Sequence, residues 1–268
     1  MLHKSELQLK GWTKFSLDND IVHWITEALP YCRMISEDKK NIKNWMRCGG
    51  TWFAGVNIIE NNLKGSIAGG PSLTGRVIDF VDKNFGSGIE WDQGQLSIVY
   101  EGYPKPNPLE SSSATRFRIK RDAAHVDGLL PIGSQRKRML REPHAFVLGI
   151  PMTVADTNCS PLVVWEGSNK IIRDYFTEAL SSYNESDWDK VDLTETYKEA
   201  RKVCLEECKR VIVHGWPGET YLIHRLSLHG IAPWSFKGKK PMDGRMICYF
   251  RPHLDNLSDW LNLSLIHI

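Results

Sequence analysis

The sequence predicts a mainly β fold with flanking α-helices, arranged as a double-sheet jelly roll. Three observations predict it: short β-rich runs succeed one another from Gln95 onward, a block of helical spacing interrupts them at about 168–209, and no internal repeat or low-complexity linker divides the chain. The 268 residues, 41% hydrophobic and 25% charged, suffice for one large core. A single domain over 1–262 is expected, with its β core at about 95–252.

Two helices precede that core. Ser16 to Met34 has an amphipathic spacing with a Ser/Asp start and is expected to bend or stop around Pro30, and Gly75 to Phe85 closes before Gly86. Strands are expected at Leu96–Tyr100, Arg116–Lys120, Ala145–Val154 and Leu162–Trp165, from their β-branched and aromatic content and short length. Ser168 to Ser181, and Asp187 to about Lys209 with Thr194 near its start, carry the helical spacing of the insertion. Val211–His214, a Trp216–Glu219 turn, a run from Tyr221 to Leu228 and Arg245–Phe250 complete the sheets. The last six residues, Leu263 to Ile268, match the translation of a transposase adapter used in sequencing libraries. They are expected to be an artefact that replaces the natural C-terminus.

Charge and composition exclude several classes. A formal charge of +2 lacks the concentrated basic patch that nucleic acid or a membrane surface requires. Six scattered cysteines form no disulfide framework or zinc pattern, and no apolar run reaches the ~18 residues of a spanning helix, so a cytoplasmic protein is expected. The ten Trp residues suit a large core or an aromatic-lined pocket.

His125-Val126-Asp127 is the motif that carries chemistry. On an extended chain, residues two apart share a face, so His125 and Asp127 can reach one ion together while Val126 turns away. With a second imidazole from His229, two histidines and one carboxylate make the ligand set of a non-haem Fe(II) site with open positions. Alone the motif is weak, because chance supplies about half an instance of His-x-Asp in such a chain. A second copy, His253-Leu254-Asp255, has no Arg or Lys after it and is assigned to surface or turn chemistry. His224 is an alternative to His229, but Gly230 gives His229 room for backbone and substrate. Arg245 heads a strand in which Arg245, Ile247, Tyr249 and Arg251 share a face. Its planar guanidinium can grip a carboxylate, with Arg251 in reserve.

The segments His125–Gly128, Ser160–Lys170, Pro217–Gly230 and Gly244–Tyr249 together resemble the phytanoyl-CoA dioxygenase family of Fe(II)/2-oxoglutarate oxygenases, over roughly 95–252. Ser160, Glu166 and Asn169 stand where that family has Gly, Pro and His, which bears on substrate contacts. The resemblance implies a double-stranded β-helix of cupin-like jelly-roll type, catalytic iron held by His125, Asp127 and His229, and 2-oxoglutarate held through its C5 carboxylate by Arg245. It also implies O2 as the oxidant and a small organic molecule as substrate. The presence of Asp127 favours hydroxylation over halogenation, because related halogenases have a small residue there.

Basic residues flank the motif: Arg116, Arg118, Lys120 and Arg121 before it, Arg136, Lys137, Arg138 and Arg141 after it. They form either a solvated charged face or a clamp for an anionic substrate. Cys204 and Cys208 are expected to be buried or idle thiols. Two other functional classes fit the same strands: a jelly-roll metalloenzyme that does not use 2-oxoglutarate, and a metal-free β-sandwich binding module.

Overall fold

The computed structural model describes residues 2–107, 111–238 and 241–261, so the adapter-like tail lies outside the described residues. In chain order the first elements are α1 (Leu2–Lys10), β1 (Trp12–Phe15), α2 (Asn19–Glu37), α3 (Lys39–Trp45), β2 (Met46–Arg47), β3 (Trp52–Ile59), α4 (Arg76–Phe85) and β4 (Gly94–Val99). Next come α5 (Ser112–Arg121), β5 (Leu129–Ile132), β6 (Lys137–Leu140), β7 (Phe146–Pro151), β8 (Leu162–Glu166), α6 (Ser168–Leu180) and α7 (Thr194–Glu207). The described chain closes with β9 (Lys209–Val213), β10 (Thr220–His224), β11 (His229–Ile231) and β12 (Arg245–Phe250).

The strands form an antiparallel seven-stranded sheet in the order β1-β10-β7-β12-β4-β3-β2, a three-stranded sheet β11-β8-β9, and the hairpin β5-β6. Strand β12 shows why its sequence is apolar throughout: both faces are covered. Met246, Cys248 and Phe250 pack with α2 and α4 residues such as Ile21, Trp24 and Val81, whereas Ile247 and Tyr249 face Leu162, Val164 and Val213 of the smaller sheet. Strand β8 divides in the same way. Leu162 and Val164 point toward the large sheet, while Val163 and Trp165 pack against Ile172, Phe176 and Tyr197 of the helical insertion. The insertion therefore supplies the outer cover of the small sheet.

Helix α2 runs through Pro30 to Glu37 without stopping there. Its buried row Ile21, Trp24, Ile25, Ala28, Cys32 and Ile35 follows the 3.6-residue period, and this packing outweighs the amide hydrogen bond lost at the proline.

Arg116–Lys120 is a larger departure from expectation: it is not a strand but the second half of α5. The alternation Arg-Phe-Arg-Ile-Lys imitates a strand, but Ser111 caps the segment by accepting a hydrogen bond from the Ala114 amide. Asp122 ends the helix in a left-handed conformation (φ 52°). The run from Tyr221 to His229 is likewise not one strand. β10 belongs to the large sheet and β11 to the small one, and residues 225–228 carry the chain between them.

Candidate metal centre

His229 reaches the site through strand register. It pairs directly with Val164, whose side chain points between the sheets, and cross-strand partners share a face, so His229 points inward as well. His125 forms an isolated antiparallel bridge to His229, with hydrogen bonds in both directions at 2.8 and 2.9 Å. That bridge, rather than the expected strand, places it. The extended backbone then returns Asp127 to the same side.

Gly230 is what lets the two segments touch. A Cβ there would fall onto the Asp122 carbonyl oxygen, the same oxygen that accepts a hydrogen bond from the Ile231 amide at 2.8 Å. The space expected beside the metal is thus taken largely by the Asp122–Ala124 backbone. Asp122 and Ala123 both have positive φ (52° and 54°). Arg210 on β9 holds this strained corner with two hydrogen bonds to the Asp122 carboxylate, at 2.7 and 2.9 Å. The amide of Val126 donates to the Tyr197 hydroxyl from α7 at 3.2 Å, fixing the residue between the two ligands.

The donor atoms converge. One ligand atom each from His125, Asp127 and His229 lies within 4.8 Å of the others. His125 Nδ1–H donates to the Ala123 carbonyl at 3.0 Å and His229 Nδ1–H to the Ser227 carbonyl at 2.9 Å, so both rings turn Nε2 toward Asp127. The two Nε2 atoms are 3.3 and 3.8 Å from Asp127 Oδ1, and Arg251 Nη1 is 3.6 Å from Oδ2. Burial, with the neighbouring His125, pushes His229 down to about 4, which keeps its lone pair free at neutral pH. Burial opposes the charge on Asp127, but the hydrogen bond to His125, together with His229 and Arg251, holds the carboxyl well below the usual range. Burial works against a charge on His125, but the hydrogen bond to Asp127 and its negative charge outweigh burial and raise this imidazole above its ordinary value, so its Nε2 proton is one that a metal would replace. Two imidazoles and one ionised carboxylate aimed at one point fit a divalent transition metal.

Two cavities meet at these residues, and Val56, His125, Asp127 and Arg251 line both. The inner one, about 210 Å³, runs between the sheets past Gln95, Ser97 and Tyr249, and the outer one, about 400 Å³, opens past Phe117, Arg138 and Arg201. Arg245 lines neither. It is buried on the inward row of β12, at the opposite end from Arg251, and its Nη1 has no hydrogen-bond partner.

His224 is buried away from the triad, with its Nδ1 accepting from the Leu226 amide at 3.1 Å. His253 bridges to His144 at another cavity, so the second His-x-Asp plays no part here. Glu166 accepts a hydrogen bond from the Trp12 indole and Asn169 donates to the Gln8 carbonyl, which ties that segment to β1 and α1. Of the basic residues after the motif, Lys137 and Arg141 pair with Asp192 and Asp189, and Arg138 alone lines the outer cavity. Sequence reasoning missed Arg201 and Tyr197 of α7 and Arg210 of β9, which reach the site only through tertiary packing.

No protein-family model matches the chain, and no curated protein matches it at a significant level. Solved structures do. EvdMO1 aligns at a TM-score of 0.51 and 12% identity, over 95% of this chain and 50% of its own, so the chain spans half the length of that relative. The non-heme alpha ketoglutarate dependent epimerase SnoN, solved with Fe3+, alpha ketoglutarate and nogalamycin RO, aligns at 0.51 and 12% identity over 94% of this chain and 82% of its own. The corresponding carbocyclase SnoK aligns at 0.50 and 11%, over 94% and 83%. The chain has the fold of these enzymes. Among the described residues, no helix is long and apolar enough to cross a membrane.

Proposed function

We propose that this chain is a non-haem Fe(II)/2-oxoglutarate-dependent oxygenase built on a double-stranded β-helix, and that it hydroxylates a small organic substrate in the cytoplasm. The observation that carries the reading is the convergence of His125 Nε2, His229 Nε2 and Asp127 Oδ1, with each ring held in one tautomer by a backbone carbonyl. Fold likeness to SnoN and SnoK supports it. It is a likeness of architecture to an epimerase and a carbocyclase, so hydroxylation rests on Asp127 alone.

Bound at the triad, Fe(II) with 2-oxoglutarate and O2 supplies the oxidative decarboxylation that yields succinate, CO2 and an oxidised substrate. The protein's part is to position and to insulate. His125, Asp127 and His229 would hold the ion, and His125 and Asp127 line both cavities, so the site is reached from each. The inner chamber suits the co-substrate, with the Ser97 hydroxyl held by the Trp52 indole at 3.0 Å and the Tyr249 hydroxyl by that of Tyr221 at 3.1 Å. We assign the far carboxylate of 2-oxoglutarate to Arg245, which lies on the inward row of β12 beyond the Tyr249 that lines the chamber, because a buried guanidinium nitrogen without an acceptor is costly until an anion arrives. The outer cavity is then the entrance for substrate.

The test is substrate-independent turnover. Purified protein with Fe(II), ascorbate and 2-oxoglutarate is expected to form succinate slowly. No succinate above the Asp127→Ala background, in protein shown to hold iron, removes the reading. Failure of the wild type to bind Fe(II) stoichiometrically under anaerobic titration leaves the metal-free binding module instead.

A further inference from the structure

We propose that the outer cavity is a subsite for an organic anion, a carboxylate or phosphate ester with an apolar body, whose charged group is held by Arg138 and Arg201. The inference rests on the oxygenase reading and names a substrate class for it. Arg118, Arg138, Arg201 and Arg251 all line this cavity, against the two carboxylates of Asp127 and Glu142. Both carboxylates are engaged. Asp127 faces the two imidazoles and Arg251, and Glu142 Oε2 lies 3.6 Å from His144 Nε2.

Arg138 and Arg201 are left as cations with no carboxylate of their own among the described residues. Arg138 Nη1 donates only to the Leu129 carbonyl, at 3.3 Å. The Arg201 guanidinium carbon stands 4.8 Å from the centre of the Phe117 ring and 5.2 Å from that of Tyr197, over aromatic rings rather than paired with an acid. Beyond these ring contacts and a hydrogen bond to the Tyr197 hydroxyl, the five-donor guanidinium keeps further N–H groups for an anion. The position is built from separate parts of the chain. Arg138 sits on β6, whose Arg138 amide donates to Thr194 Oγ1 at the start of α7, and the Tyr197 beneath Arg201 holds the Val126 amide. The cationic wall and the metal ligands are thereby joined through one helix.

Much of the remaining lining is apolar, including Val56, Phe117, Leu129 and Leu130. A free inorganic anion would leave that surface wet. An anion with a carbon skeleton covers it and presents a C–H bond toward His125 and Asp127.

Isothermal titration of the purified protein with octanoate, octyl phosphate and octanamide tests the subsite without any turnover. One or both anions are expected to bind at least ten-fold more tightly than the amide, with the preference shrinking in 0.5 M NaCl, and the carboxylate and phosphate arms identify the preferred headgroup. Arg138→Gln/Arg201→Gln is expected to reduce the preference to under two-fold, and Arg138→Lys/Arg201→Lys, which keeps both charges, to retain most of it. Equal binding of all three probes overturns the inference, as does a preference that survives the double Gln variant. Succinate formation is scored separately: lost anion preference with succinate intact removes the subsite alone. Anion preference without succinate keeps the subsite and removes the oxygenase reading.

Discussion

Arg251 Nη1 lies 3.6 Å from Asp127 Oδ2, the carboxylate oxygen opposite the one that faces both imidazoles. The guanidinium faces one oxygen and the other is turned toward His125 and His229, which would leave a single oxygen for the proposed ion. Arg251→Gln is expected to weaken Fe(II) or Ni(II) binding by about 10- to 100-fold, the usual cost of removing a partner from a ligand. Anaerobic calorimetry reads it, and an unchanged affinity would show that Asp127 needs no such support.

Arg245 yields a separable effect. It lines neither cavity, yet carries a buried nitrogen without an acceptor. Arg245→Gln is expected to leave metal affinity within two-fold and to raise KM for 2-oxoglutarate by 100-fold or more, about 3 kcal/mol for a lost charge-assisted contact. Succinate kinetics at varied 2-oxoglutarate decide it. A variant with unchanged KM places the metalloenzyme without 2-oxoglutarate ahead.

The Arg210–Asp122 pair predicts a link between stability and metal binding. Asp122 is buried and Arg210 half-exposed, and together they hold the corner whose next residue accepts the His125 Nδ1 proton. Arg210→Gln is expected to cost about 2 kcal/mol, with a fall in Tm of roughly 4–8 °C. Metal affinity should fall alongside. Loss of Tm with affinity intact would show that the His229 bridge holds His125 by itself.

His224 predicts acid sensitivity. Burial, with Arg225 beside it, holds the imidazole well below its ordinary value, and the ring accepts the Leu226 amide in its neutral form. The unfolded chain takes up a proton near pH 6.5 and the folded chain does not. Its contribution is therefore complete above about pH 6.5 and is lost as pH falls toward the folded value, at about 1.4 kcal/mol per pH unit. Denaturation of the wild type and of His224→Asn at pH 5 and pH 7 measures it, with a shallower dependence expected in the variant. Equal slopes would assign the acid sensitivity to other groups.

Local signals made part of this site legible in the sequence. The boundaries of β12, Arg245–Phe250, follow from its composition, and His125-x-Asp127 from the two-residue period of extended chain. The helical insertion was equally plain from its 3.6-residue spacing. Arg116–Lys120 misled because a charged, unburied helix has no apolar stripe, leaving the Ser111 cap as its main mark. Strands β1 and β3 were not read at all. They owe their place to partners far along the chain, Trp12 opposite Ile223 and Phe53 opposite Ile98, rather than to a pattern of their own. Arg201, Tyr197 and Arg210 escaped for the same reason: their roles exist only once the insertion has folded back onto the small sheet.

Strand β12 exposes two independent targets to mutation. Positions 246, 248 and 250 sit among the covering helices, and positions 245, 249 and 251 sit on the chemical side. Changes at the first set act on packing alone, and changes at the second act on packing and on the cavity together. A library confined to positions 249 and 251 would therefore vary the cavity lining while leaving Met246, Ile247, Cys248 and Phe250 in their packing, on one six-residue strand and the arginine that follows it.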